Sequence, residues 1–506
     1  MKRVWNIITR KMFVAAVLFL LEIILLIFMI FILGTLSIFF GILLYIFSLL
    51  TVLLVNNSSN NPAYKVSWIN SIIFIPFAGA ILYIIFGKHH TTKNMKARFN
   101  RVDKNGRECL LQMGNITQKV DIDCNYRQIV DWIWKVSKQS SYTNTLTEFL
   151  SPGEVYFKRL IKDLKCAKKN IFMEFFIICP GKMWGEIVDI LIEKVKEGLD
   201  VRLIYDDLGT LPFLPADYPE YMEKLGIKTK VFNIIKPRLD AFMNNRDHRK
   251  IVVIDGNISY TGGANLADEY INEVERFGYW QDCAIRLEGE ATASFSVLFL
   301  RMWYYLSNDE IFYSEYMPTK KVEASGVVVP FGDNPIREHH LHDSIYLKII
   351  TCARKYIYIQ TPYLVMDYEL TKALIFAAES GVEVCIITPK IPDKFYVHVM
   401  TRSAYKELIK AGVKIYEFTP GFVHSKLIVS DDLVGIVGSA NFDFRSLYLH
   451  FECSVFLYKT DSLSQIYRDF KRVIEKSEQI TIENCDRRSF VQKFLGFVLK
   501  PFAPLM

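Results

Sequence analysis

The sequence predicts an α/β protein of two similar halves related by a pseudo-two-fold axis, preceded by an N-terminal region of transmembrane helices. Three observations lead to this prediction. A long apolar stretch lies near the N terminus, a succession of strand and helix patterns occurs twice, and a short motif also occurs twice. At 506 residues, 51% of them hydrophobic, the chain has enough material for more than one core.

The apolar stretch spans residues 12–55 and contains a single charge, Glu22. It is longer than the roughly 20 residues that one membrane crossing needs, and a second apolar run follows at 67–87. A cleaved signal peptide would have a much shorter apolar region. Lysines and arginines flank the whole region on both sides, which favours a cytoplasmic location for both flanks and an even number of crossings. The sequence therefore predicts a multi-pass membrane anchor, with the number of crossings left open.

The cysteines and the charge agree with a cytoplasmic catalytic part. Nine cysteines are scattered along the chain without any Cys-x-x-Cys pair, which favours reduced thiols over disulfides or a zinc site. The net charge of +7 is concentrated next to the membrane segments, where anionic lipid is the expected partner. A nucleic-acid partner is not expected.

The remainder of the chain repeats an α/β pattern. The strand-like segment KKNIFMEFFII (168–178) parallels RKYIYIQTPYL (354–364). In both copies an amphipathic helix follows, ends at a glycine (Gly198 or Gly381), and leads into a buried strand. The predicted parts are an anchor with a basic juxtamembrane segment (1–110), a first half (111–320), a second half (325–480) and an apolar C-terminal tail (481–506).

A motif closes the repeat in each half. DHRKIVVIDGNISYTGGAN (247–265) and FVHSKLIVSDDLVGIVGSAN (422–441) place histidine, lysine, aspartate, a pair of small residues and asparagine at identical intervals. The residues are His248, Lys250, Asp255 and Asn265 in the first copy, and His424, Lys426, Asp431 and Asn441 in the second. A lone histidine is usually structural, but two in identical frames point to function.

These residue types suit a phosphodiester. Two lysines can neutralise its non-bridging oxygens without a metal, and the asparagines can donate hydrogen bonds to the phosphate. Two histidines that face each other can supply a nucleophile and a general acid. Asp255 and Asp431 complete the catalytic set, although their position at a hairpin turn favours a bracing role.

A nucleophilic histidine needs a carboxylate to orient it. Asp282 in YWQDCAIRLEG and Glu452 in LHFECSVFL follow the two motifs at similar points, so both are predicted supporting carboxylates. In a face-to-face arrangement each would reach the histidine of the other half. Asp268 and Glu269 are rival candidates, which more often occupy a helix start.

The repeated motif resembles the HKD signature, H-x-K-x4-D-x6-G-[GS]-x-N, of the phospholipase D superfamily. Within it, segments such as VRLIYDDLG, GGANLADEY, IQTPYLVMD and NFDFRSLYLHFE resemble bacterial cardiolipin synthases. The resemblance implies two phospholipase D-like halves and an enzyme that joins two phosphatidylglycerols into cardiolipin and glycerol. It implies a phosphohistidine on His248, with His424 as acid and then base, and neither cofactor nor metal.

Several points stay open. A phospholipase D-type hydrolase or another phosphatidyltransferase of the same superfamily would carry the same motifs, and a non-catalytic scaffold would have no use for them. The expected location is the bacterial cytoplasmic membrane, and the oligomeric state is unknown. Arg445 and Ser446 either bind a head group or cap a helix. The tail, FVQKFLGFVLKPFAPLM, either packs on the domain or lies at the membrane interface.

Overall fold

The computed structural model describes residues 38–58, 60–87, 93–112, 122–235, 244–307, 312–337 and 339–505, together with Ile24 and Phe28. These residues form a mixed α/β fold with two central sheets. Helices lie outside each sheet and also between the two sheets, where one large core cluster contains side chains of both halves.

The N-terminal helices are α1 (Ile38–Asn56), α2 (Pro62–Phe74), α3 (Pro76–Leu82) with a π-helical turn (Tyr83–Gly87), α4 (Lys93–Gln112) and α5 (Cys124–Ser137). The second apolar run is divided between α2 and α3 because Pro76 disfavours a helical residue before it. Within the part of the chain that the structure describes, no helix combines the length and the apolar character required to span a membrane. The predicted anchor is therefore not confirmed, and most of residues 12–37 lie outside the described residues.

The strands of the first half are β1 (Thr145–Leu150), β2 (Asn170–Phe175), β3 (Asp200–Asp206), β4 (Lys228–Phe232), β5 (Ile251–Ile254), β6 (Ile258–Gly262), β7 (Tyr279–Gln281) and β8 (Ala284–Gly289). Its helices are α6 (Gly153–Lys165), α7 (Lys182–Lys196), α8 (Asp207–Thr210), α9 (Tyr218–Lys224) and α10 (Thr292–Leu306), with 3-10 turns at Asp268–Ile271 and Tyr313–Tyr316. All strands except β7 form a sheet of order β1-β8-β6-β5-β2-β3-β4, in which β2, β3 and β4 are parallel.

The strands of the second half are β9 (Val327–Asp333), β10 (Tyr356–Gln360), β11 (Leu364–Val365), β12 (Glu383–Pro389), β13 (Lys414–Phe418), β14 (Gly421–Val423), β15 (Leu427–Ser430), β16 (Val434–Gly438), β17 (Phe442–Asp443), β18 (Glu452–Tyr458) and β19 (Ser477–Ile480). Its helices are α11 (Leu341–Cys352), α12 (Tyr368–Glu379), α13 (Phe395–Lys410), α14 (Ser462–Ile474), α15 (Ile482–Asp486) and α16 (Phe490–Leu499), with a π-helical turn at Arg445–Leu449 and a 3-10 turn at Lys500–Leu505. The main sheet has the order β19-β13-β12-β10-β15-β16-β18-β9.

The two sheets correspond strand for strand. The order β8-β6-β5-β2-β3-β4 of the first matches β18-β16-β15-β10-β12-β13 of the second, which confirms the predicted repeat. Gly198 and Gly381 end the equivalent helices α7 and α12 with φ of 91° and 92°, values that favour glycine. The short strands β7 and β14 pair across the halves and tie them together next to the second histidine motif.

Candidate active site

A cavity of about 470 Å³ lies where the two motifs meet. Its lining includes both motif histidines, His248 and His424, and both motif asparagines, Asn265 and Asn441. The rest of the wall is largely apolar and includes Phe176, Ile177, Phe213, Phe277, Val397, Met400 and Ala503. Polar groups therefore converge with an extended apolar wall, and charged side chains such as Arg276, Asp393 and Lys394 complete the lining.

Each histidine is positioned by the backbone of the opposite half. The main-chain N–H of His248 donates to the carbonyl oxygen of Phe451 at 3.0 Å, and that of His424 donates to Gln281 at 2.7 Å. Each histidine precedes the first strand of a hairpin, β5–β6 or β15–β16, whose turn has two residues with positive φ. The tight hairpins hold the two imidazoles against the shared boundary between the halves.

The supporting carboxylates also cross between the halves. Glu452 Oε1 lies 2.9 Å from His248 Nδ1, and Asp282 Oδ2 lies 2.8 Å from His424 Nδ1. Both carboxylates are fully buried. This is the pairing expected from the sequence. With Nδ1 engaged, the remaining nitrogen of each ring, Nε2, is the one available for chemistry, while the catalytic roles of the four residues stay predictions.

The environment keeps both imidazoles neutral in the free protein. Burial lowers the pKa of His248 well below its ordinary value, and the charges of Lys250 and His450 lower it further. Burial and the neighbouring Lys426 lower the pKa of His424 to about 4, although Asp282 opposes this shift. A neutral imidazole is the form that can act as a nucleophile, and a bound phosphate would raise both pKa values by adding negative charge.

The two carboxylates differ in their electrostatics. Burial raises the pKa of Glu452 well above its ordinary value, and Lys250 only partly offsets that effect. Burial also opposes ionisation of Asp282, but His424 and Lys426 outweigh it and hold the pKa of Asp282 below its ordinary value. Asp282 is thus the stronger stabiliser of a positive charge on its histidine.

The motif lysines lie behind the cavity wall, and their role toward a phosphate stays a prediction. Neither Lys250 nor Lys426 lines the cavity, because each folds back and donates to the carbonyl oxygen of its own histidine, His248 or His424. Burial lowers the pKa of Lys250 to about 8 and that of Lys426 to about 7. In this arrangement the lysines act on the cavity through their charge and not by direct contact.

The motif asparagines line the cavity, but the motif aspartates do not. Asn265 donates to the hydroxyl of Tyr270 at 2.7 Å, and Asn441 donates to Asp443 at 3.2 Å. No described residue bonds to Asn441 Oδ1, which is buried.

Asp255 and Asp431 occupy the hairpin turns at the far end of β5 and β15 from the histidines. Asp255 accepts hydrogen bonds from the backbone at Lys168, Lys169 and Asn170, and Asp431 accepts equivalent bonds at Arg354, Lys355 and Tyr356. These bonds fix the start of β2 and β10. The geometry supports the bracing role for both aspartates, because a four-residue strand of about 13 Å separates each one from its lysine, and a catalytic role for them stays a prediction.

Sequence reasoning missed a third imidazole in the cavity. The ring centroid of His450 lies 5.5 Å from that of His248, and its Nδ1 lies 3.9 Å from Glu452 Oε1. Arg445 donates to His450 Nε2 at 3.3 Å and also lines the cavity, as does Ser446. The signal in the sequence was the position of His450 two residues before Glu452. No equivalent histidine precedes Asp282, so the repeat did not draw attention to it.

The rival carboxylates have other partners. Asp268 accepts hydrogen bonds from the backbone N–H groups of Lys182 and Met183 and so caps the start of α7. Glu269 lines the cavity but pairs with Arg276 at 3.0 Å. Neither hydrogen-bonds to a motif histidine in the described structure.

One group of side chains has the spacing of a metal site. Donor atoms of His248, His450 and Glu452 lie within 4.8 Å of one another. The charges of Lys250 and Arg445, which lower the pKa of these histidines, also oppose a divalent cation there. The surrounding positive charge therefore favours an anionic ligand over a metal at this place.

Comparisons with known proteins agree with this geometry. The family model described as "Cardiolipin synthase, PLD-like domain" matches residues 160–303 and 346–474, and a model described as "Phospholipase D-nuclease N-terminal" matches residues 39–88. A crystal structure of phosphatidylserine synthase from Haemophilus influenzae has a similar fold, with a TM-score of 0.57 and 16% identity over 75% of this chain and 97% of that chain.

Similar curated proteins match almost end to end. An uncharacterized protein of Streptococcus mutans is 39% identical over 90% of this chain and 99% of its own length. Cardiolipin synthase 2 of Bacillus anthracis is 34% identical over 88% of each chain. Cardiolipin synthase of Geobacillus thermodenitrificans is 31% identical over 92% of this chain and 95% of its own length.

Proposed function

The chain belongs to the cardiolipin synthase family with phospholipase D-like domains, and we propose that it transfers a phosphatidyl group from one phosphatidylglycerol to another. The products are cardiolipin and glycerol. The observation that carries the proposal is the crossed pair of histidine–carboxylate contacts, His248 with Glu452 and His424 with Asp282, at one apolar-walled cavity.

In the first step, Nε2 of His248 attacks the phosphorus of a bound phosphatidylglycerol. The bond from phosphorus to the glycerol head group breaks, and His424 gives its proton to the departing glycerol oxygen. The substrate is an anion, so its arrival favours protonation of His424, which is neutral in the free protein. Glu452 holds the attacking imidazole through Nδ1.

In the second step, the head-group hydroxyl of another phosphatidylglycerol gives its proton to His424 and attacks phosphorus. The phosphorus–nitrogen bond to His248 then breaks, which releases cardiolipin and restores both histidines. The buried charges of Lys250 and Lys426 stabilise the phosphate throughout, and Asn265 and Asn441 lie where they can donate to its oxygens.

The acceptor must compete with water at about 55 M. A well-oriented bound group can reach effective molarities of about 10⁵ M, so a lipid held in the cavity outcompetes water. The apolar wall, which includes Phe176, Val397 and Met400, supports a lipid acceptor. A phospholipase D-type hydrolase would need access for water instead.

The test is to incubate the purified full-length protein, in phosphatidylglycerol vesicles and in intact membranes, with phosphatidylglycerol labelled in both its acyl chains and its head group, and to identify the products. We expect cardiolipin and free glycerol, a lower cardiolipin yield when glycerol is added, and activity without a divalent metal. His248→Ala serves as the inactive control. Phosphatidic acid as the dominant product in intact membranes would identify a hydrolase and contradict the proposal.

We further propose that residues 1–110 anchor the enzyme in the bacterial cytoplasmic membrane, with the halves at 111–320 and 325–480 on the cytoplasmic side. The apolar runs and their basic flanks support this. Cys166 is exposed on the first half and offers a test. A membrane-impermeant thiol reagent should label Cys166 only after cells are permeabilised, and labelling in intact cells would place the catalytic part outside.

A further inference from the structure

Helix α16 near the C terminus turns its apolar face away from the protein. Positions 490, 491, 494, 497 and 498 share one face of a helix because they follow the spacing i, i+1, i+4, i+7, i+8. These residues are exposed to the following extents: Phe490 79%, Val491 61%, Phe494 54%, Phe497 79% and Val498 40%. An ordinary surface helix presents the opposite pattern.

Contacts on the other side of α16 fix this orientation. Gly496 is buried and faces Ser403 and Val399 of α13. Just before the helix, Arg488 donates to the carbonyl oxygen of Arg402 at 2.7 Å. The helix therefore packs through Gly496 and the partly buried Leu495 and Leu499, and the described structure leaves its aromatic side chains uncovered.

The exposed face adjoins the mouth of the cavity. Helix α13, on which α16 packs, contributes Val397 and Met400 to the cavity wall. The 3-10 turn that follows α16 contributes Ala503 to the same wall. At the start of α13, Phe395 and Tyr396 are exposed. Apolar surface thus continues from α16 to the cavity.

The same surface continues onto the N-terminal helices. Ser67 of α2 donates to the carbonyl oxygen of Pro501 at 2.6 Å, and the rings of Phe74 and Phe502 lie 6.2 Å apart. Ile73 and Phe74 are themselves exposed. The face of α16 is therefore connected to the 67–87 segment that the sequence predicts to lie in a membrane.

Charge selects the occupant of this surface. Residues 487–506 contain four cations, Arg487, Arg488, Lys493 and Lys500, and no acidic residue, and of the four Arg487 pairs with Glu483 at 2.6 Å. An apolar helix face flanked by lysine and arginine is the pattern of helices that lie in the plane of an anionic membrane. A second copy of this chain, with the same positive charge, is a poorer partner.

We propose that α16 and the turn after it lie in the interface of an anionic lipid bilayer, so that the cavity mouth opens at the membrane surface. The identity of the occupant as lipid rests on the proposed function. The first of its two tests measures contact and not turnover, so the two proposals can fail separately.

The test places a photocrosslinker on the exposed face in the full-length protein. The variant Phe497→p-benzoylphenylalanine is reconstituted in phosphatidylglycerol vesicles and irradiated. The matched control carries the same substitution at Leu146, an exposed apolar position on β1 at the edge of the first sheet. Mass spectrometry then identifies what each position has captured.

We expect phospholipid adducts at position 497 at least tenfold above those at position 146. Crosslinks from 497 to residues 1–37 of the same chain, to a second copy, or to nothing would each overturn the proposal. A second variant, F494S/F497S, should lower turnover at least tenfold on vesicles but leave turnover on detergent-dispersed phosphatidylglycerol unchanged. Equal activity of this variant and the parent on vesicles would also count against the proposal.

Discussion

The two halves carry the same histidine motif but brace it in different ways. In the first half the second small residue is Gly263, and a Cβ there would lie 2.1 Å from Asp282 Oδ1 and 2.7 Å from the carbonyl oxygen of His424. In the second half the equivalent residue is Ser439, whose hydroxyl donates to Glu452 Oε2. A short carboxylate goes with glycine, and a longer carboxylate goes with serine.

The difference extends to the electrostatics of the two pairs. The ring of His424 lies near Tyr270 and Trp280, and its Asp282 has a lowered pKa. His248 lies near the third imidazole, His450, and its Glu452 has a raised pKa. Burial and a neighbouring lysine lower the pKa of both histidines, but Asp282 opposes that shift at His424, which suits the proposed acid. Glu452, with its raised pKa, is the weaker support for a positive charge on His248, which suits the proposed nucleophile. The same motif in the same strand order thus lies in two different electrostatic environments.

Removal of either supporting carboxylate should have the largest effect. Glu452→Gln and Asp282→Asn should each retain the fold, as measured by thermal unfolding, and lower kcat by about 10⁴, the loss seen when an orienting carboxylate becomes an amide. With a p-nitrophenyl phosphodiester the leaving group needs no proton. The defect of Asp282→Asn should then shrink while that of Glu452→Gln persists. An equal loss of kcat for Asp282→Asn on phosphatidylglycerol and on the p-nitrophenyl phosphodiester would contradict the assignment of His424 as the acid.

Exchange of the small residues tests the steric part of the comparison. Gly263→Ala should lower kcat by at least about 100-fold, because displacement of Asp282 by even 1 Å misplaces the imidazole it holds. Ser439→Ala removes one hydrogen bond to Glu452, a contribution of about 1.5 kcal/mol, and should lower kcat only about tenfold. Steady-state kinetics on both variants gives the ratio. A larger loss of kcat for Ser439→Ala than for Gly263→Ala would contradict the steric role that the close approach of Asp282 assigns to Gly263.

The pH dependence tests the electrostatic part. The proposed acid, His424, must be protonated, so activity falls as pH rises through its pKa, which is about 4 in the free protein because of burial and Lys426. The bound phosphodiester is an anion and raises that pKa. The alkaline limb of kcat, which reports the complex, should therefore lie at higher pH than that of kcat/KM, which reports the free enzyme. If the alkaline limbs of kcat and kcat/KM coincide, substrate binding does not favour protonation of His424.

The smallest expected effect belongs to His450. His450→Asn should lower kcat at neutral pH only about fivefold, equivalent to about 1 kcal/mol. Because His450 lowers the pKa of His248, its loss should raise that pKa. His248 must be neutral to attack, so activity falls as the pH is lowered through its pKa. In the variant this acid limb should therefore lie at a higher pH than in the parent. An unchanged acid limb would show that His450 has no influence on His248.

Much of this site was predictable because it depends on local patterns. The apolar run IVVI and its partner in the second half mark β5 and β15, and the turn residues mark the hairpins. Gly198 and Gly381 end their helices where only glycine adopts the required conformation without strain. The repeat itself predicted that Glu452 and Asp282 reach across to the opposite histidines.

Other features depend on side-chain packing that spacing does not encode. The residue types indicated that the lysines neutralise a phosphate, but they did not indicate that the long side chain of Lys250 folds back to the carbonyl oxygen of its own histidine. His450 reaches the cavity because the π-helical turn before it and β18 after it place it there, and no sequence pattern marks that turn. The outward face of α16 has helical periodicity, but periodicity does not say which face is buried.

The division of labour between the halves can be tested most directly by trapping the intermediate. The full-length enzyme is mixed with acyl-labelled phosphatidylglycerol, quenched within one turnover in denaturant at neutral pH, which preserves a phosphorus–nitrogen bond, and digested for peptide mapping. We expect the phosphatidyl label on His248, in the half whose histidine has the raised-pKa Glu452 as partner. A label on His424 would reverse the assignment, and the absence of label from both histidines would contradict a covalent mechanism.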